Sequence, residues 1–360
     1  MIIAVDAGML GAGDEGLKVG VWRVAANLLM ALGRLDKKNT YRLYSFAPIP
    51  QDLMEKFGPQ MENRVITPGT GWMSVRLPLE FILRPPDVFL GLAQALPRWT
   101  GKKIGFIYDL GFISHPGAYP DSRRKLTANT RKTIRRASQI ITISHATKKE
   151  IQDHYHLPSG NIAVAYPGVS APFAKAKTAR AARHPYFLLA GALKRGKNVS
   201  AALQAFAVFK KETGLAHELV LIGSDYWMDP EIKKTIKELE LQDSVKVLGF
   251  VSDEKLASYY QRATALLVPS LIEGFCLPAA EAMACGTPVI ASRVGSLPEV
   301  IGNGGVLISP GDIAGFARAM KKIAEDAKYR KRLSEAALVQ ASAYRWERFA
   351  RTILSTIHHV

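Results

Sequence analysis

Short runs rich in β-branched and aromatic residues alternate with longer stretches of helical periodicity along almost the whole chain, and the alternation is interrupted once. Parallel strands need a crossover between them, so this alternation predicts parallel βαβ units. In the first series the strand candidates are MIIAVDAG, TYRLYSF, PDVFLGL, KKIGFIYDL, QIITISH and NIAVAYPGV. Val21, Val24, Ala25, Leu28, Leu29 and Leu32 share one face of the helical stretch between the first two. DSRRKLTANTRKTIRRASQ also reads as helix and is heavily basic. The break is APFAKAKTARAARHP, residues 171–185, which has few large apolar residues and reads as a linker. A second series follows: YFLLAGAL, ELVLIGS, VKVLGFV, TALLVPS, PVIAS and GGVLIS, with helices between them. The expected fold class is α/β, two doubly wound Rossmann-like domains over residues 1–170 and 186–343. In such sheets ligands sit beyond the carboxyl ends of the strands.

A length of 360 residues fits two domains, and 48% hydrophobic with 22% charged residues is the composition of a folded globular chain. The net charge of +17 is uneven: residues 1–185 hold 26 Lys and Arg against 13 Asp and Glu. That half should attract something anionic, or else present a well-solvated basic surface. Two cysteines, Cys276 and Cys285, make no disulfide framework, which points to a reducing cytoplasm. The N-terminal MIIAVDAG reads as a strand rather than a signal peptide, and no run of about 18 apolar residues offers a membrane span.

The stretch LIEGFCLPAAEAMACGTPV, residues 271–289, places Glu273 on the loop leaving a buried strand and Glu281 about one turn into the next helix. Pro278 suits that helix's first turn. Backbone N–H groups of Gly274, Phe275, Cys276 and Leu277 lie at the helix start, where amides lack intrahelical acceptors and favour an anion. A carboxylate accepts two hydroxyl hydrogen bonds, as from a vicinal diol. Diol, phosphate and diol together describe a sugar nucleotide. The plain alternative is a solvent-exposed helical acid at Glu281 and an acid at Glu273 that merely complements the helix dipole.

SLIEGFCLPAAEAMACGTPVIASRVGSLPEVIGNGGVLISPGD closely resembles the signature of the retaining glycosyltransferases of family 4. YFLLAGALKRGKN, LVLIGS and VKVLGFVSDEKLASYYQRATALLVPS are similar to other parts of that family, and VDAGMLGAGDEGLKVGVWRVAANLL more loosely so. YRWERFARTIL resembles its terminal helix, which implies that residues 344–360 cross back onto the N-terminal domain. The resemblance implies a GT-B architecture, with the two domains facing across a cleft. It implies that Glu281 binds the nucleotide ribose, Glu273 the transferred sugar, and the amides of 274–277 the donor. Lys197 matches the cation that holds the diphosphate, and a fixed cation lowers the barrier to departure of a nucleoside diphosphate. No Asp-x-Asp pair occurs, and neither a metal nor another cofactor is expected.

Several positions depart from the family pattern. Cys276 stands where glycine is usual. Gly196 takes a usually cationic position, for which Arg195 is the substitute. In the N-terminal glycine loop Gly20 and Arg23 keep register, while Trp22 replaces a glycine and either stacks on an acceptor sugar or packs against the sheet. Tyr108-Asp109 replaces a His-Asp pair. Tyr108 can donate a hydrogen bond, but an ordinary phenol pKa of about 10 makes it a poor proton shuttle. His115 and His145 are the loop histidines that could compensate, and each also reads as incidental.

These residues imply a retaining hexosyltransferase, with GDP-mannose the first-choice donor and UDP-sugars next, acting on a glycan or lipid-linked hydroxyl. The basic helix around Arg123, Arg124, Arg131, Lys132, Arg135 and Arg136 would meet anionic lipid, making the enzyme cytoplasmic and peripheral to the membrane. A nucleic-acid-binding protein would explain the charge, but no groove-reading helix or stacking platform accompanies it, so no nucleic acid is expected. A catalytically silent family member remains the other alternative.

Overall fold

The computed structural model describes residues 1–11, 20–120, 122–176, 184–224 and 229–360, so part of the N-terminal glycine loop (12–19) and of the expected linker (177–183) lies outside the described residues. The chain divides into two compact units, Met1–Gly168 with Arg345–Val360, and Val169–Tyr344. The described part of the stretch read as a linker, residues 171–176, is packed on the second unit. Phe173 is buried edge-on against Tyr260, and Gln261 donates to the Ala174 carbonyl at 2.8 Å, so an apolar anchor ties this segment to the second unit.

The first unit runs β1 (Ile2–Asp6), α1 (Val21–Leu35), β2 (Thr40–Ser45), α2 (Gln51–Phe57), β3 (Met61–Val65), a π-helical turn (Trp72–Arg76) leading into α3 (Leu77–Leu83), β4 (Val88–Gly91), β5 (Lys102–Ile107), α4 (Gly111–Ser114), α5 (Arg123–Arg136), β6 (Gln139–Thr142), α6 (His145–Tyr155) and β7 (Ile162–Val164). The second unit runs β8 (Tyr186–Ala190), α7 (Val199–Thr213), β9 (Glu218–Ile222), α8 (Glu231–Glu238), β10 (Val245–Val247), α9 (Asp253–Arg262), β11 (Ala265–Val268), α10 (Leu277–Ala284), β12 (Val289–Ser292), α11 (Leu297–Ile301), β13 (Gly305–Ile308), α12 (Ile313–Glu325) and α13 (Ala327–Ala341). The last helix, α14 (Trp346–His359), belongs to the first unit.

Among the described residues the first sheet has the order β3-β2-β1-β4-β5-β6-β7 and the second β10-β9-β8-β11-β12-β13. Every strand pairing is parallel. Strands covered on both faces by helices read as continuous apolar runs, and YFLLA of β8 and ALLV of β11 are buried at every position. The strand order reverses between β1 and β4 in one sheet and between β8 and β11 in the other. At such a reversal the outgoing loops diverge and leave a crevice beyond the strand ends.

Trp346, Phe349, Ile353 and Ile357 of α14 are buried, and Phe349 meets Phe106 of β5 edge-on. Gly168, where the chain ends its first pass through this unit, lies against the start of α14, and the close approach requires glycine because a Cβ there would lie 2.2 Å from the Trp346 amide nitrogen. No helix among the described residues is long and apolar enough to cross a membrane.

Candidate active site

Three loops of the second unit converge where β8 and β11 part. The loop after β8 makes a 3-10 turn over Arg195–Lys197, and its Gly196 carbonyl accepts from the Leu271 amide at 2.9 Å. That bond joins it to the loop after β11. The loop after β12 grips the same place, since both the amide and the hydroxyl of Ser296 donate to the Glu273 carbonyl at 3.0 Å. Gly295 makes the approach possible: its φ is +49°, and a Cβ there would sit 2.5 Å from the Glu273 carbonyl oxygen.

With its backbone held, the Glu273 side chain has little freedom. Its Oε1 accepts from the Lys197 ammonium and from the Ser270 hydroxyl, each at 2.6 Å. The ion pair is largely shielded, with 19% of the Lys197 and 10% of the Glu273 side chain exposed. An ammonium carries three donors, so Lys197 can keep the carboxylate and still take an anionic oxygen. Arg195 is more solvated and reaches Asp229 at 3.8 Å.

Glu281 is not the exposed helical acid of the plain alternative. It is 5% exposed, and the Tyr260 hydroxyl donates to its Oε2 at 3.3 Å. The approach to α10 is set by Cys276, whose φ of +77° is a left-handed conformation unusual for any residue with a Cβ. Phe275 is buried edge-on against Tyr344 and anchors the loop, while Gly274 is buried and Leu277 opens the helix. Burial, then the Glu273 charge, push the Cys276 thiol up. Burial and Glu281 push Cys285 up to about 12.

In the first unit Tyr108 is corrected. It is 8% exposed and donates its hydroxyl to the Leu92 carbonyl at 2.8 Å, while burial and the Asp6 charge push the phenol well above its usual range. It ties the strand ends of β4 and β5 together, with its hydroxyl hydrogen engaged by a backbone carbonyl. Asp109 accepts from the Gly111 amide at 2.9 Å, and its charge adds to burial in raising the nearby Glu150 carboxyl. His115 is half-buried with Nδ1 3.2 Å from the Ser114 hydroxyl. His145 is exposed, opens α6 and lies edge-on to Tyr166. Gly20 precedes α1 with φ +53°, and Trp22 and Arg23 sit half-buried on its first turn.

The sequence reading does not single out Ser270, Tyr260, Gly295, Ser296 or Asp6. The first four are found only by the contacts above, although Ser270, Gly295 and Ser296 lie inside the matched signature. Asp6 ends β1, takes bonds from the Trp72 indole at 3.1 Å and the Gly8 amide, and burial raises its pKa to about 6. Its one sequence signal is an acid closing an apolar strand.

Two parallel-sheet, Rossmann-like units make this a chain of the GT-B class. Its fold is similar to sucrose-phosphate synthase from Thermosynechococcus elongatus, with a TM-score of 0.80 at 20% identity over 99% of this chain and 98% of that one. The model for glycosyl transferases group 1 matches residues 170–340, and that for Glycosyltransferase Family 4 matches residues 20–171. The chain belongs to glycosyltransferase family 4. It is 27% identical to O-antigen chain mannosyltransferase B of Escherichia coli over 74% of this chain and 71% of that protein. With the O-antigen chain mannosyltransferase RfbU of Salmonella typhimurium it shares 32% identity over 58% of each.

Proposed function

We propose that the chain transfers mannose from GDP-mannose to a hydroxyl of a glycan or lipid-linked acceptor, with retention at the anomeric carbon. The observation that carries this reading is the shielded Lys197–Glu273–Ser270 cluster, seated where the strand order of the second sheet reverses. The sugar rests on the two O-antigen mannosyltransferase relatives, and GDP is the nucleotide that the family resemblance puts first. The membrane-side acceptor rests on the basic helix α5, and the enzyme works at the cytoplasmic face.

In this mechanism the bond between the anomeric carbon and the diphosphate oxygen breaks, and the acceptor oxygen bonds to the same carbon on the same face. The acceptor proton passes to the departing diphosphate. Lys197, Arg195 and the amides of residues 274–277 offset the charge growing on that leaving group. Glu273 orients the sugar through its hydroxyls, and Glu281 with Tyr260 receives the ribose. No metal or further cofactor is assigned a part.

The test is turnover of GDP-mannose with a glycan acceptor, reading the anomeric configuration of the product by NMR. The α-linked product is expected from the α-configured donor. A β-linked product, or turnover with a UDP-sugar only, contradicts the proposal.

A further inference from the structure

Four large apolar side chains within nine residues of the first unit face solvent. Val75, Leu79, Ile82 and Leu83 are 49%, 53%, 72% and 75% exposed. They fall at i, i+4, i+7 and i+8 across the π-helical turn and α3, which puts them on one stripe. The other side of the same segment is buried, with Leu77 and Phe81 in a cluster that includes Phe89 of β4. The helix is therefore apolar on both faces, although a soluble surface helix needs only one. Scattered apolar residues are ordinary on a protein surface, but a contiguous stripe marks a contact.

Its electrical surroundings select the occupant. Glu80, the single acid between residues 72 and 86, is mostly buried and bonded to Arg84 at 3.1 Å. The Arg98 amide donates to the Met73 carbonyl. Ala137, which closes α5, packs on the Leu77–Phe81 cluster, and Arg136 donates to the Leu96 carbonyl at 2.9 Å. Helix α5 itself carries no acid, and Arg131, Lys132 and Arg135 are exposed on it. A second copy docked on this stripe would bring like charge against like charge. A surface of anionic headgroups over hydrocarbon matches both the apolar stripe and the cations beside it.

We propose that the outward stripe of α3 enters an anionic lipid bilayer while the basic residues of α5 hold its headgroups. This deepens the membrane-surface reading of the acceptor side and rests on it. It does not depend on the donor chemistry of the second unit.

The experiment is co-sedimentation of the full chain with vesicles of phosphatidylcholine alone or mixed with phosphatidylglycerol. The wild type is expected to sediment with the mixed vesicles and to be released by salt. Ile82→Ser combined with Leu83→Ser should weaken partitioning about tenfold or more. Because both side chains are already exposed, melting temperature and the response to GDP should be unchanged. Arg131→Gln and Arg135→Gln should each weaken it about fivefold. Binding of the serine variant as tight as wild type overturns the role of α3 and leaves the membrane reading standing. A wild type that stays in the supernatant overturns both. A wild-type dimer that the serine pair converts to monomer, seen by sedimentation velocity, assigns the stripe to a second copy and overturns the proposal. The GDP response, read in the same samples, reports separately on the donor site.

Discussion

Cys276 turns the chain through a left-handed conformation that glycine adopts freely and that costs a residue with a Cβ about 1–2 kcal/mol. The resemblance to family 4 flags this position, but only the backbone angle explains why glycine is usual there. Its thiol and that of Cys285 are both buried and pushed up, so neither is a nucleophile at neutral pH. Neither should react with a thiol-specific chromogenic reagent at pH 8 until denaturant unfolds the protein; rapid labelling of the native enzyme would contradict their placement. Asp6 gives a second residue-scale prediction. Its folded pKa of about 6 exceeds the ordinary 3.8, so the native state holds more protons between those values and loses stability as pH rises through them. Asp6→Asn keeps the acceptor oxygen and cannot ionise. It should add about 3 kcal/mol above pH 6 and almost nothing below pH 4. Thermal melts across that range check this, and parallel curves for the two proteins would refute it. Sequence could not orient Tyr108, because its ring direction is fixed by a carbonyl 16 residues earlier in the chain. Nor could it pair Lys197 with Glu273 across 76 residues, although both types were legible through the matched signature.

At the scale of elements, the site is a junction of loops, and the junction depends on close backbone approach. Gly295→Ala would drive a methyl group against the Glu273 carbonyl at a positive φ. Strain of this kind is on the order of 1–3 kcal/mol, and relief would move Glu273 away from Lys197. The variant is therefore expected to melt lower and to lose most transfer activity, whereas Gly214→Ala, a positive-φ site with open space around it, should melt lower but keep its activity. Equal activity in both variants would mean that the loop after β12 does not hold the acid. The strands around the site were legible because buried parallel strands are uninterrupted apolar runs. Between residues 47 and 85 the sequence reading finds no element, yet α2, β3 and α3 lie there. MENRV of β3 is an edge strand with a polar composition, and Pro78, Pro85 and Pro86 break up the helical signal of α3.

At the scale of the molecule, the chain leaves the first unit, builds the second and returns through α14. Burial of Trp346, Phe349, Ile353 and Ile357 is worth about 1.5–3 kcal/mol for each side chain. Their sum rivals the whole stability of an ordinary domain, about 5–15 kcal/mol. Ending the chain at Tyr344 should therefore unfold the first unit selectively, while the second keeps its sheet and its nucleotide response. Calorimetry should show the loss of one transition; retention of both would mean that α14 is dispensable. The two-unit plan was legible in the single break of the alternating pattern. The attachment of the break itself was not, because one phenylalanine, Phe173, decides it.

The central claim is that the loops after β8, β11 and β12 bind an activated sugar through Lys197, Glu273 and Glu281. A thermal-shift titration with GDP, UDP, ADP and their sugars tests it most directly, on the wild type and on Glu281→Ala and Lys197→Ala. The account predicts that GDP and GDP-mannose raise the melting temperature, that Glu281→Ala abolishes the shift, and that Lys197→Ala weakens it while lowering turnover about 100- to 1,000-fold. A melting temperature indifferent to every nucleotide at millimolar concentration, or a shift that survives Glu281→Ala intact, would contradict it.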